Sequence, residues 1–282
     1  MFTPDVSLTP TPRRHEDLIF DVGLNTGQDT EFFLKKGFRV LAVDADPLAC
    51  REAEARYADE IAAGRLAVLN RAVSETRSPL TFWICTSDRA LSTASERNRD
   101  FWAARGAVFE ETRVEGTTTA DLVRAHGVPR YAKIDIEGFD LVCLRGFERE
   151  AAPPFVSVEV DFAAVDDLLT AAQALGYRRF ALAPQSKVPD QRPPSPALEG
   201  LEVDHVFERG CSGLFGRELP EEWVDAETLR TECRRIIGQY RMAGLLKRAD
   251  RLLPGSDATA ALRARRFPMA GDWYDVHMRA DA

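Results

Sequence analysis

The sequence predicts an α/β fold with a mostly parallel sheet and crossover helices. Three observations carry this. Short apolar runs suited to buried strands alternate with stretches of helical period through most of the chain. Two glycines, Gly23 and Gly27, sit where the first strand gives way to the first helix. Carboxylates recur where strands are expected to end, at Asp44, Asp135 and Glu159. In an open parallel sheet that edge is where ligands lie.

The elements follow in order. Residues 1–16 hold three prolines and read as a flexible N-terminal arm. "DLIFDVG" is a buried strand, "TEFFLKKG" an amphipathic helix stopped by Gly37, and "FRVLAVDADP" a second strand. "LACREAEARYADEIAAG" is a second helix and "RLAVLNRAV" a third strand, which completes β-α-β-α-β. The middle departs from this alternation. "SPLTFWIC" is an extra strand, and "TSDRALSTASERNRDFWAARGA" is a polar loop plus helix placed to act as a lid. "VFEETRVEGTTT" is a further strand, and the next helix starts in "TADLVRAHG" with a threonine cap.

Regular order then resumes with "YAKIDIEG" (strand), "FDLVCLRGF" (helix), "PFVSVEVDF" (strand) and "AAVDDLLTAAQALGY" (helix). "RRFALAP" and "LEVDHVFER" are expected to close the sheet as a hairpin across a proline-rich loop at 184–200. The main domain is therefore placed at 17–220 and a helical C-terminal extension at 221–282. The extension carries apolar residues at Leu229, Cys233, Ile236, Ile237 and Tyr240 and breaks at Pro254.

Composition narrows the function classes. The net charge of −8 argues against a nucleic-acid partner gripped through phosphates. The charge is uneven, with ten Lys/Arg against three Asp/Glu between residues 229 and 266. Solvation, or docking on the acidic body, accounts for that basic face. Five scattered cysteines without a C-x-x-C read as reduced core thiols of a cytoplasmic protein. No leader-like apolar segment opens the sequence, and no stretch is long and apolar enough to span a membrane.

The stretch "FDVGLNTGQDT" resembles a dinucleotide turn but lacks its third glycine and begins with a carboxylate. Asp21 would repel a pyrophosphate and suit an ammonium group. Asp44 stands roughly 20 residues after Gly23, where an acidic residue accepts hydrogen bonds from ribose hydroxyls. An adenosine-type ribose and a cationic amino acid occur together in S-adenosylmethionine. Expected contacts on the turn are Asp21, Gly23, Leu24, Asn25, Thr26, Gly27 and Thr30. Asp44 and Ala45 would hold the ribose, and Asn70, Arg71 and Ala72 the adenine edge. Ser92 and Thr93 of the polar middle would cover the cofactor, with Asp135 near the methionyl end.

"FDVGLNTGQDT" together with "KIDIEGFDLVCLRGF" resembles the FkbM-type methyltransferases, over about residues 17–215. That resemblance implies a Rossmann-like, doubly wound, mostly parallel sheet of seven strands with one antiparallel member. It also implies O-methylation of a hydroxylated small molecule such as a sugar, polyketide or other secondary metabolite. Leu24 and Thr26 depart from the residues most often found at those places in the family. The extension after residue 221 lies outside the resemblance.

Strand alternation would set Lys133, Asp135 and Glu137 on one side of their strand. Three charges there need partners or a function. Glu137, Glu159, His205 and Lys133 are the catalytic candidates, the first three as acceptors of the hydroxyl proton. Asp161 suits a helix cap. Asp135, Glu137, Glu159, Asp161 and His205 could supply hard ligands for Mg²⁺, although no metal is assigned and no zinc spacing occurs. Competing readings are a methyltransferase for another acceptor, a non-catalytic S-adenosylmethionine-binding partner protein, and a dehydrogenase. Trp223, Trp273 and Tyr274 would pack the tail on its own domain or, in a homodimer, on a second subunit.

Overall fold

The computed structural model describes residues 12–252 and 273–280, with residues 243–252 described by backbone alone. Most of the expected N-terminal arm, the helix break at Pro254 and much of the basic stretch lie outside the described residues.

The main sheet begins with β1 (Arg14–Val22), β2 (Arg39–Asp44) and β3 (Leu66–Asn70). It continues with β8 (Val128–Ile134), β9 (Phe155–Glu159), β10 (Tyr177–Pro184) and β11 (Tyr274–Ala280). Their spatial order is β10-β11-β9-β8-β1-β2-β3. The run from β9 to β3 is parallel, while β11 is antiparallel to both its neighbours. The sheet is thus mixed, seven-stranded and doubly wound, with one antiparallel strand.

That strand is not the one expected. "LEVDHVFER" forms no strand and runs as coil over α1 (Gln28–Lys35). Its place is taken by β11, from the end of the chain, which inserts between β10 and β9. The expected hairpin fails on burial: Glu202, Asp204 and Val206 are all exposed. By contrast "YDVHM" is buried throughout, as a strand with neighbours on both sides requires. The C-terminal extension is therefore helical only in part, through α8 (Ala226–Leu252), and its last described segment belongs to the main sheet. At the other end β1 starts at Arg14, inside the expected arm.

The sheet faces differ. Leu18, Phe20 and Val22 of β1 point to one face, where Leu122, Leu144, Leu169, Leu229 and Ile236 from four helices pack. These come from α5 (Thr119–His126), α6 (Asp140–Arg145), α7 (Val165–Ala174) and α8. Ile19 and Tyr131 point to the other, covered by Phe32 and Phe33 of α1 and by Val188, Phe207 and Phe215 of the long connection after β10. Tyr131 and Phe215 stack at 4.7 Å. A buried Lys36–Glu218 pair at 2.8 Å anchors this connection, because Glu218 also accepts from the backbone N–H groups of Leu198 and Glu199.

A small antiparallel arm, β5 (Leu80–Cys85) with β6 (Phe109–Val114), stands off the main sheet and carries α4 (Glu96–Ala103). The five cysteines are free and buried. The C-terminal aromatics pack within the chain: Tyr274 against Phe162 at 5.6 Å, Trp223 under Arg279, and Trp273 under Arg209. No helix among the described residues is long and apolar enough to cross a membrane.

Candidate active site at the switch point of the sheet

The chain leaves β1 toward β2 on one side and later fills β8 on the other, so strand order reverses at β1. Ligands of open α/β sheets bind beyond such a point. A cleft enclosing about 690 Å³ of open space lies there. It runs from Ala72, Val73 and Phe82, past Asp44 and Gly23, to Asp135 and Glu137.

Gly23 adopts φ 96°. A Cβ there would lie 1.8 Å from the backbone oxygen of Asp135. Glycine is thus required because the loops after β1 and β8 touch, and not only to admit a ligand. Asn25 follows with φ 48°, and its N–H donates to Asp44 Oδ2 at 2.8 Å. Gly27 opens α1 at φ 78°, with its carbonyl accepting from the Tyr57 hydroxyl at 2.9 Å.

Asp44 ends β2 and lines the cleft. Its other oxygen accepts from the N–H of Asp46 at 2.8 Å, so each oxygen keeps a further lone pair for a ligand. Burial pushes its pKa up to about 6, against the pull of these two N–H groups. Asn70 does not line the cleft. Its Nδ2 holds the carbonyls of Asp44 and Ala45 at 3.0 and 3.1 Å, which fixes the strand end. Ala45, Arg71, Ala72 and Ser92 do line it.

Asp21 is corrected. Its side chain is fully buried, accepts from Thr30 Oγ1 at 2.6 Å, and lies 3.4 Å from Lys133 Nζ. It sits beneath the cleft with Thr30, because β1 alternation turns it toward α1. Leu24 is core, Thr26 is exposed, and neither they nor Gly27 line the cleft. Lys133 is corrected as well. Its Nζ donates to the Gly23 carbonyl at 2.7 Å, with Asp29 at 3.6 Å and Asp135 at 3.8 Å. Burial lowers its pKa, but these carboxylates outweigh that and raise it, so it stays a buried cation and not a base.

β8 ends at Ile134, so Asp135 and Glu137 lie on the following turn and not on one face of a strand. Asp140 wraps this turn, accepting from the N–H groups of Ile136 and Gly138, both at 2.8 Å. Glu137 itself has φ 50°, in the left-handed region. The turn and the end of β9 bring one oxygen each of Asp135, Glu137 and Glu159 within 4.8 Å of one another. Burial, then neighbouring carboxylates, pushes Glu137 and Glu159 well above the usual range. These three are the group among the described residues whose spacing would admit a divalent ion. Asp161 is not part of it, being held by Ala163 N–H and Arg97. Nor is His205, which packs on Phe32 and Phe207 at 4.9 and 4.8 Å and does not line the cleft.

Sequence reasoning missed Arg89, Asp46, Asp29, Asp140 and Asp275. Arg89 lines the cleft and forks onto Asp46 Oδ2 at 2.7 and 3.0 Å. Asp275 stands opposite Glu159 in the β9–β11 register. An acidic residue just inside a helix start, D-x-x-x for Asp140 or Asp29, was the available signal for two of them.

Taken together, these features define an α/β protein with a cleft at its switch point and carboxylates at one end. The particular family is shown by comparison. A family model described as Methyltransferase FkbM domain matches residues 21–179, more than half of the chain, and the chain belongs to that family. No curated protein matches it. Among solved structures it is similar to the methyltransferase FkbM from Methylobacillus flagellatus KT, at 16% identity and a TM-score of 0.39. That match covers 61% of this chain and 40% of the other, so the chain spans less than half of that protein's length. It is also similar to a precorrin-6y C5,15-methyltransferase from Geobacter metallireducens GS-15, at 7% identity, TM-score 0.36, and 95% and 81% coverage. A third is a SAM-dependent methyltransferase from Geobacter sulfurreducens in complex with S-adenosyl-L-homocysteine, at 11% identity, TM-score 0.32, and 96% and 86% coverage.

Proposed function

We propose that this chain is a cytoplasmic S-adenosylmethionine-dependent O-methyltransferase acting on a hydroxyl of a small molecule. Sugars, polyketides and similar secondary metabolites are the acceptor class that the family resemblance implies. The observation that carries the reading is Asp44: a carboxylate inside the cleft whose two oxygens are oriented by backbone N–H groups yet keep lone pairs free. The cleft fits the whole cofactor by chemistry. Ala72, Val73 and Phe82 offer an apolar seat for a base, Asp44 an acceptor pair for a ribose, and Asp135 and Glu137 negative charge for a sulfonium or ammonium.

When bound, the cofactor supplies a methyl group already activated on sulfur. The chain's own tasks are to align the acceptor oxygen and to take its proton. Glu137, which lines the cleft, and Glu159, within 4.8 Å of it, are the candidates to accept that proton on a carboxylate oxygen, and their raised pKa makes each a stronger base once ionised. His205 lies outside the cleft and takes no part in this reading.

The test is calorimetric titration with S-adenosylhomocysteine, with NAD⁺ as control, followed by radiolabelled methyl transfer to a panel of hydroxylated compounds. Binding of S-adenosylhomocysteine alone and label on an oxygen are expected. Label on nitrogen would overturn the acceptor assignment, and binding of neither ligand would overturn the whole reading.

A further inference from the structure

The segment that joins β5 to α4 crosses the cleft and is pinned at both ends. At one end Arg89 forks onto Asp46, two residues past Asp44, and also reaches Glu52 at 3.0 Å. Ser92 then lines the cleft. At the other end Thr93 and Asn98 converge on a single atom, the backbone oxygen of Glu137, at 2.6 and 2.9 Å.

Both donors are themselves fixed. Thr93 exchanges two backbone hydrogen bonds with Trp83 of β5, at 2.8 and 2.9 Å. Its hydroxyl accepts from Ser95 N–H at 2.8 Å, which leaves its proton for Glu137. Thr93 is fully buried. Asn98 lies in the first turn of α4, whose cap is Ser95. The residue they hold needs holding. A non-glycine residue at φ 50° is costly unless its surroundings over-determine it. Gly138, just after it, has φ 103°, and a Cβ there would lie 2.9 Å from Asn98 Nδ2, so a side chain would push on the clamp.

We propose that Thr93 and Asn98 are positioning residues: by clamping the Glu137 carbonyl they turn its carboxylate into the group with Asp135 and Glu159, facing the charge of the methyl donor. The inference rests on the methyltransferase reading above. A carboxylate so placed favours a ligand with positive charge at the transfer end over a neutral one of the same shape. The clamp therefore links the arm to the electrostatics of the reaction centre, while Arg89 ties the same segment to the ribose side.

The experiment titrates the full chain with S-adenosylhomocysteine, whose sulfur is neutral, and with sinefungin, which carries an amine at the methyl position. Wild type is compared with Thr93→Val, Asn98→Ala and Thr93→Ser, each checked for an unchanged circular dichroism spectrum. Wild type is expected to prefer sinefungin by roughly tenfold, as one close charge pair predicts. Thr93→Val and Asn98→Ala should lose most of that preference while still binding S-adenosylhomocysteine, and Thr93→Ser should keep it. An undiminished preference in both the valine and alanine variants would overturn the clamp, as would a wild type that binds both ligands equally. Absence of binding to either ligand by wild type would instead remove the methyltransferase reading. Should Thr93→Val fail to fold, Asn98→Ala decides the matter, its side chain being at the surface end of the clamp.

Discussion

Asp44→Asn is the substitution with the sharpest consequence. The carboxylate accepts from Asn25 N–H and Asp46 N–H, one on each oxygen. An amide of the same shape can accept only one of these and must turn its NH₂ toward the other donor. It also offers a ribose one acceptor in place of two. A hydrogen bond to a charged group is worth about 1.5–3 kcal/mol, so S-adenosylhomocysteine affinity should fall by roughly 10- to 100-fold. The pH dependence adds an independent signature. The folded pKa is about 6, raised chiefly by burial. A raised carboxylate contributes stability below its ordinary value near ~4 and loses that contribution as pH rises through the folded value. A ligand that needs the ionised form runs the other way: its affinity is full above pH ~7 and declines below pH ~6. At pH ~5 about a tenth of Asp44 is ionised, which weakens binding roughly tenfold. Asp29 and Asp140 share a pKa of about 6, but neither lines the cleft. Calorimetry at pH 5 and 7.5 separates them, since Asp44→Asn should flatten the curve. Equal wild-type affinity at both pH values, or a slope that survives the substitution, would refute the ribose assignment.

Other changes test the scaffold. Gly23→Ala puts a methyl group 1.8 Å from the Asp135 carbonyl at φ 96°, and thermal unfolding should show a loss of about 3 kcal/mol or more. Lys133→Met leaves Asp21, Asp29 and Asp135 without their shared cation, which should cost about 3–5 kcal/mol in denaturant titration at pH 7.5. That loss should shrink at pH 5, where Asp29 is protonated first. Deleting residues 273–282 removes β11 from between β10 and β9, and soluble monomer on size exclusion should disappear. Retention of a folded monomer would mean that β10 can pair directly with β9.

Much of this architecture is legible in the sequence because local signals and the fold agree. β1, β2, β3, β8 and β9 are apolar runs between turn residues, and they form the parallel part of the sheet. Asp44 is legible as the last residue of β2, whereas Asp135 and Glu137, expected on one side of a strand, lie on the turn after β8. What fails is everything that depends on contact across long sequence distances. β11 is a short strand separated from β9 by more than a hundred residues, and nothing local says which edge or gap it fills. "LEVDHVFER" alternates like a strand, but His205 and Phe207 pack on Phe32 while Leu201 and Val206 are exposed. Asp21 shows the limit at a single residue. Its type and place point to a ligand, yet the Lys133 that neutralises it comes from a strand 112 residues away in sequence.

The fate of Asp21 also changes the reason why the cleft disfavours a dinucleotide. Asp21, Lys133, Ser157 and His277 lie in register across β1, β8, β9 and β11 on one face of the sheet. His277 is held neutral by burial, its pKa lowered to about 3, so Lys133 alone offsets the carboxylates in this layer. Its charge is shared by Asp21 at 3.4 Å, Asp29 at 3.6 Å and, at the edge of the cleft, Asp135 at 3.8 Å. One step further along the strands come Asp135, Glu159 and, opposite it, Asp275, with Glu137 on the turn above. Among the described residues that line the cleft the cations are Arg89, engaged by Asp46 and Glu52, and Arg71, which follows β3 and donates to the Asn70 carbonyl at 2.8 Å. Negative charge is therefore concentrated at the end of the cleft beyond β8 and β9, where burial first, and neighbouring carboxylates second, raise Glu137, Glu159 and Asp275 above the usual carboxylate range. A pyrophosphate brought there would meet like charge in a site of low dielectric, whereas a sulfonium would lower those same pKa values and be held by them. The discrimination assigned at first to Asp21 belongs to the turn after β8, and that turn stays in place because Asp140 wraps it from within and the arm clamps it from outside.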